Sequence, residues 1–185
     1  RLIAFLKLSL IITNILFTAS SLTVNSFVSS LTSDLTNKLD LSHQFGMMSW
    51  NVLNLAFRAK ELYLMNKGIS FGNDEEFVRS EILTNLGFLQ ETLMEFRQDI
   101  INSDEGDNLV WITYGGGSYY EERKSLLDII LQMETSAKKI YDTPMSEITG
   151  TNHHFLALYR NGPAEVTRYL NITISSFVEE SKVTV

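Results

Sequence analysis

Few residues in this 185-residue chain have the types and spacings that chemistry needs. There is no cysteine, which excludes thiolate nucleophiles, disulfides and cysteine zinc sites and says nothing about redox compartment. His153 and His154 are adjacent, and neighbours on a helix point about 100° apart, so they are not expected to ligate one metal from the same face. No HExxH or comparable carboxylate spacing accompanies them, and they read as polar core or surface residues. His43 reads as an interhelical polar contact or a surface residue. The acidic groups Asp74-Glu75-Glu76 and Asp104-Glu105-Gly106-Asp107 lack the alternating ligands and terminal Glu of an EF-hand loop, so capping and solvation are their expected roles. Gly115-Gly116-Gly117 stands where phosphate loops occur but lacks the GxxxxGK[ST] lysine, and reads as a flexible turn. No nucleophile, base and orienting group come together in the sequence. The expectation is therefore a non-enzyme with no catalytic residue, no metal and no cofactor.

Two weaker signals point to recognition. Trp111, Tyr114, Tyr119 and Tyr120 concentrate aromatic surface around the glycine run, and either line a small-ligand pocket or close the end of a helical bundle. Asn171-Ile172-Thr173 is the only Asn-x-Ser/Thr sequon, which makes Asn171 the candidate glycosylation site if that part of the chain lies outside the membrane. Charge argues against nucleic acid. Arg1 and Lys7 are the only charges before Asp34, so the other 13 basic residues face all 22 acidic ones, and the pairs Arg123-Lys124 and Lys138-Lys139 stand alone.

The elements that must position these residues read as helices. Leu2 to Leu22 is apolar over a membrane-spanning length, with Lys7 its only internal charge; a signal peptide or a buried helix of a larger assembly are the alternatives. Lys7 can snorkel to an interface, Asn14 would face another helix, and the basic start predicts a cytoplasmic N-terminus with everything after about Phe27 outside. Thr18 to Ser33 is dense in Ser and Thr, yet Val24, Val28, Leu31 and Leu35 keep a helical stripe that resumes as Phe45, Met48, Val52, Leu55, Ala59 and Leu62. This predicts one helix from the membrane to Asn66, about 95 Å if unbroken. It stops at Asn66-Lys67-Gly68.

Asn73-Asp74-Glu75-Glu76 suits the start of a second helix, whose Ile82, Leu86, Leu89, Leu93, Phe96 and Ile100 follow a 4-3-4-3-4 rhythm. Ser103 to Ser118 is irregular, with a β-prone Val110-Trp111-Ile112-Thr113-Tyr114 segment. A third helix is expected from near Tyr119 to about Tyr141, with Leu126, Ile130, Met133, Ala137 and Ile140 inward, ended by Pro144. After a short helical piece from His153 to Arg160, Asn161-Gly162-Pro163 reads as a break and restart, so a fourth helix should begin at Pro163 and carry Val166, Leu170, Ile174 and Phe177. The predicted fold class is all-α: an antiparallel four-helix bundle ectodomain continuous with an N-terminal transmembrane helix. Residues 1-27 would form the span and juxtamembrane segment and 28-185 the extracytoplasmic bundle, with helices at about 28-66, 74-102, 119-142 and 153-182. A chain that begins at Arg1 and ends in mid-pattern at Val185 is expected to be a piece of a longer protein, and four antiparallel segments would return it to the membrane for a second span.

One resemblance follows from these residues. A membrane helix leading into a helical domain, Asp107-Asn108-Leu109-Val110-Trp111, the run from Phe155 through Tyr159 to Gly162, Glu165-Val166, and Leu170-Asn171 through Phe177 together resemble the region between membrane spans in the tiny macrocysts protein B family. Those are large multi-span proteins of amoebae and ciliates, many with PAS-type sensory modules; no such module lies in these 185 residues. The resemblance implies a eukaryotic microbial surface or organelle membrane and a sensory or structural role, and supplies no catalytic residue. In architecture alone the chain is also similar to the four-helix sensor domains of bacterial chemoreceptors. The leading expectation is a membrane-anchored ectodomain that senses or transmits, with membrane lipid as a partner. The alternative is a structural subunit that assembles into homo- or hetero-oligomers through its helix faces.

Overall fold

The computed structural model describes residues 2–69, 71–103, 109–115 and 118–183. The predominance of helix is as expected. The chain divides into two compact units, Arg1–Asp40 and Leu41–Val185, and the first helix, α1 (Leu2–Asn66), supplies the whole described part of the first. In that unit Ile15, Leu16, Phe17, Leu22 and Phe27 are all exposed. Among the described residues α1 is the one helix long and apolar enough to cross a membrane by length and composition, and none of its most apolar window is buried. In its Ser/Thr-rich stretch three threonine hydroxyls bond back to the preceding turn. Thr23 donates to the Ala19 carbonyl at 2.9 Å, Thr32 to Val28 at 2.8 Å and Thr36 to Thr32 at 2.9 Å, so these side chains do not compete for the ladder. The side chains of Lys7 and Asn14 lie outside the described residues.

The second unit holds the core. From α1 it takes Phe45, Met48, Val52, Leu55, Ala59 and Leu62, the whole predicted stripe, each fully buried; His43 is on the surface. The helix ends as the glycine rule demands: Gly68 adopts φ 80° while its N–H and that of Ile69 donate to the Met65 and Leu64 carbonyls. α2 (Glu75–Ser103) starts with the Asp74 carboxylate accepting the Phe77 N–H at 2.7 Å. It buries Ile82, Leu86, Leu89, Leu93 and Ile100. Phe96 departs from the expected seam: at φ −111°, ψ 16° it leaves helical geometry and is only half-buried. α3 (Leu126–Asp142) buries Leu126, Ile130, Met133, Ala137 and Ile140 as its rhythm predicts, and runs antiparallel to α2.

Polar clasps hold these helices in register. Arg79 of α2 donates to the carbonyls of Ile140, Tyr141 and Thr143 at the end of α3 while pairing with Glu75. Arg58 of α1 pairs with the buried Glu61 at 2.8 Å and with Glu81 of α2 at 3.3 Å, and Asn73 donates to the other Glu61 oxygen at 2.6 Å.

Two expectations need correction. Residues 119–124 are not the start of the third helix. β1 (Leu109–Gly115) and β2 (Ser118–Lys124) form an antiparallel hairpin, and the helix begins only at Leu126, where Ser125 accepts the Asp128 N–H at 3.1 Å. Val110, Ile112 and Thr113 are β-branched and stiff, and once β1 is extended its ladder satisfies the backbone of a neighbour whose Tyr119 and Tyr120 also favour a strand. Nor does the chain break at Pro163. α4 (His153–Leu156), a π-helical segment (Ala157–Val166) and α5 (Thr167–Val183) follow one another directly, with Pro163 inside the wide-turned part. Proline lacks the N–H and crowds the carbonyl four residues back in an α-helix; the Thr167 N–H bonding to Gly162, five back, shows the register that relieves this. Gly162 is there for space. A Cβ on it would lie 2.6 Å from Met133 Cε and 3.3 Å from Val52 Cγ1. Val166 and Leu170 are buried beyond it, and the side chain of Phe177 lies outside the described residues.

Candidate functional site

Strand pairing decides which aromatics can act together. In the hairpin Trp111 stands opposite Glu122 and Thr113 opposite Tyr120, so these four share a face, whereas Tyr119 is paired with Tyr114 one step out of phase. The structure therefore does not gather the four predicted ligand residues. Trp111 and Tyr120 line one groove; Tyr119 is 67% exposed and does not line it; the side chain of Tyr114 lies outside the described residues.

That groove, of about 380 Å³, lies between the hairpin, α3 and α4. The α3 wall is Gln132, Thr135 and Ser136, one helix face, and the α4 wall is His153 and His154, with Ala157 beyond. What seats the hairpin is Asn161. Buried in the π-helical segment, its carboxamide oxygen accepts the Ile112 N–H and its amide donates to the Ile112 carbonyl, both at 3.0 Å, as a neighbouring strand would. α4 is anchored by Asn152, whose side chain accepts the Phe155 N–H at 3.0 Å, and by Phe155 stacked on Tyr63 of α1 with centroids 4.9 Å apart.

The groove is polar without net charge. Lys124 pairs with Glu122 at 2.7 Å, and the Thr113 hydroxyl reaches the same carboxylate at 3.5 Å. The histidines do not diverge as helical neighbours were expected to; their rings lie side by side, centroids 3.9 Å apart and tilted by 42°. Burial first, then His153 and Lys139, lower the pKa of His154 below the ordinary imidazole value, so its neutral form is favoured. Its Nδ1 is 3.4 Å from the Ser136 hydroxyl. This is a Ser-His contact on a serine buried in a helix, and among the described residues no carboxylate is hydrogen-bonded to the imidazole. Among the described residues no three His, Cys, Asp or Glu side chains are grouped to hold a metal.

Three polar groups of the groove have no hydrogen-bond partner among the described residues: the Tyr120 phenol, the Gln132 carboxamide and the His153 imidazole. Above the buried Trp111 they can hold a small neutral molecule by several hydrogen bonds. Of the lining residues, sequence reasoning had singled out Trp111 and Tyr120 as ligand residues. Glu122 and Lys124, like Gln132 and Ser136, give no local signal in the sequence. The other candidate, Asn171, sits exposed on α5, and the hydroxyl of Thr173 two residues on is buried and donates to the Tyr169 carbonyl at 3.1 Å. The acidic group 104–107 and Gly116 and Gly117 lie outside the described residues.

Comparison with family models, with curated proteins and with solved structures returns no match for this chain.

Proposed function

We propose that this chain is a membrane-anchored, non-catalytic sensory domain that recognises a small neutral polar molecule in the groove between the hairpin, α3 and α4. The carrying observation is the convergence of three unengaged hydrogen-bonding groups on a groove whose charges are already paired. In this reading the N-terminal part of α1 spans a membrane with its start on the cytoplasmic side, the helices of residues 41–185 form an antiparallel bundle outside, and Asn171 is available for glycosylation. Binding would shift the hairpin and α4, and α4, which touches α1 through Phe155 on Tyr63, would bias α1 between two positions. The resemblance to the inter-span region of tiny macrocysts protein B relatives favours the same reading.

Thermal unfolding of the full chain in mild detergent against a panel of neutral sugars, amides and amino-acid derivatives tests it. At least one compound is expected to raise the midpoint, with the rise reduced in Tyr120→Phe and Gln132→Ala. A panel without effect, or shifts that both variants retain, would reject the groove as the sensory site.

A second reading is assembly, and one observation favours it. Met47, Trp50 and Phe57 are exposed on α1 at 3- and 7-residue spacing with Asn54 between them, the stripe a partner helix would need. Light scattering that gives an oligomer for the chain and a monomer for Trp50→Glu would move the balance to it.

A further inference from the structure

On the α2–α3 side of the second unit lies a larger groove of about 540 Å³, lined on α2 by Gln90, Leu93, Met94 and Arg97 and on α3 by Leu127, Leu131 and Glu134. The α2 residues are spaced 3-1-3 and the α3 residues 4-3, so each set is a single helix face. Gln90 donates to Glu134 at 2.6 Å across the groove. Because the helices are antiparallel, this bond fixes the register: Leu93 and Met94 lie beside Leu131, and Arg97 beside Leu127. The groove is thus closed at one end by a satisfied polar pair, apolar in the middle and cationic at the other end. Of its apolar wall, Met94 is 80% and Leu131 38% exposed, Leu127 is half-buried and Leu93 is buried beneath them. Arg97 has no carboxylate or other hydrogen-bond partner among the described residues. The same end coincides with the first turn of α3, whose N-terminal dipole is positive toward it, and with the departure of Phe96 from helical geometry.

We propose that this groove binds a medium-chain carboxylate, with the alkyl chain along Met94, Leu127 and Leu131 and the carboxylate on the Arg97 guanidinium. An unpaired fork at one end of an apolar trough matches one planar monoanion with a hydrocarbon tail, since guanidinium and carboxylate pair through two parallel hydrogen bonds. From Gln90 to Arg97 is two helical turns, about 10 Å, which admits a folded or medium-length alkyl chain. The volume lies within the range of small-ligand sites. The site is separate from the hairpin groove and does not depend on its occupant.

The test uses the full chain in lipid nanodiscs with dodecanoate carrying a photoactivatable diazirine, dodecanol as the uncharged competitor, and adducts mapped by mass spectrometry. Adducts are expected on residues 93–97 and 127–131, competed by dodecanoate about tenfold more effectively than by dodecanol. Arg97→Gln removes that preference; Leu131→Trp, which fills the trough, removes the adducts. Arg97 is exposed, so its loss leaves the core untouched. Adducts confined to residues 2–40, which would report partition onto the apolar helix, or a preference that persists in Arg97→Gln, would overturn the proposal. So would displacement of the probe by an amphipathic helical peptide and not by dodecanoate.

Discussion

His154 shows how a single side chain records its surroundings. Burial withdraws water from the imidazole, and His153 and Lys139 oppose its charging, so the folded pKa falls below the ordinary 6.5. Between those two values the unfolded chain takes up a proton that the native protein refuses. Stability is therefore whole above 6.5, declines as pH drops through that window, and stops declining on this account once pH is below the folded value. Urea midpoints measured at pH 7.5 and pH 5 should fall further in the wild-type chain than in His154→Gln. Parallel losses would mean that the group titrates normally. Gly162 is the complementary case, a residue set by packing and not by chemistry: an added methyl would require the flexible end of the buried Met133 side chain to shift.

At the scale of elements, two polar side chains do the joining. Asn161 serves the outer edge of β1 as a one-residue strand, and Asn161→Ala leaves the Ile112 N–H and C=O without partners. A loss of about 2–4 kcal/mol is expected, with faster hydrogen exchange in the hairpin than in α2 and α3 as the distinguishing measurement. Arg79 answers a different need. Helix ends carry carbonyls without partners, and its guanidinium satisfies three at the end of α3. Arg79→Ala should lower unfolding stability by about 1–3 kcal/mol, and Arg79→Lys should restore less than half, since one ammonium cannot match a planar fork across three acceptors. Chemical denaturation of both variants checks the order.

Across the whole molecule, what could be read in advance was what repeats. The stripes from Phe45 to Leu62, Ile82 to Leu93 and Leu126 to Ile140 are local patterns, and each turned inward. The hairpin was half legible: Val110 to Tyr114 announced itself as β-prone, but Ser118 to Lys124 suits a helix as well, and only pairing with a segment across the glycines decides. The π-helical turn was hidden because proline reports a lost N–H and not the wider register that absorbs it. The groove was hidden for the same reason in a stronger form. Trp111 and Tyr120 stood out by type, whereas Gln132, Ser136 and His154 become lining residues only when a hairpin, a long helix and a one-turn helix meet.

The hydroxyls of α1 bear on how far its apolar character extends. A residue scale scores Thr23, Thr32 and Thr36 as polar, yet each has already given its proton to a carbonyl one turn back. A surrounding medium that offers no hydrogen bonds would meet mostly methyl groups there. These three threonines are thus less water-demanding than a residue scale makes them, but an apolar surrounding that followed α1 past Leu22 would still meet the Asn25 carboxamide within one turn and, at Asp34, a carboxylate paired with Lys38.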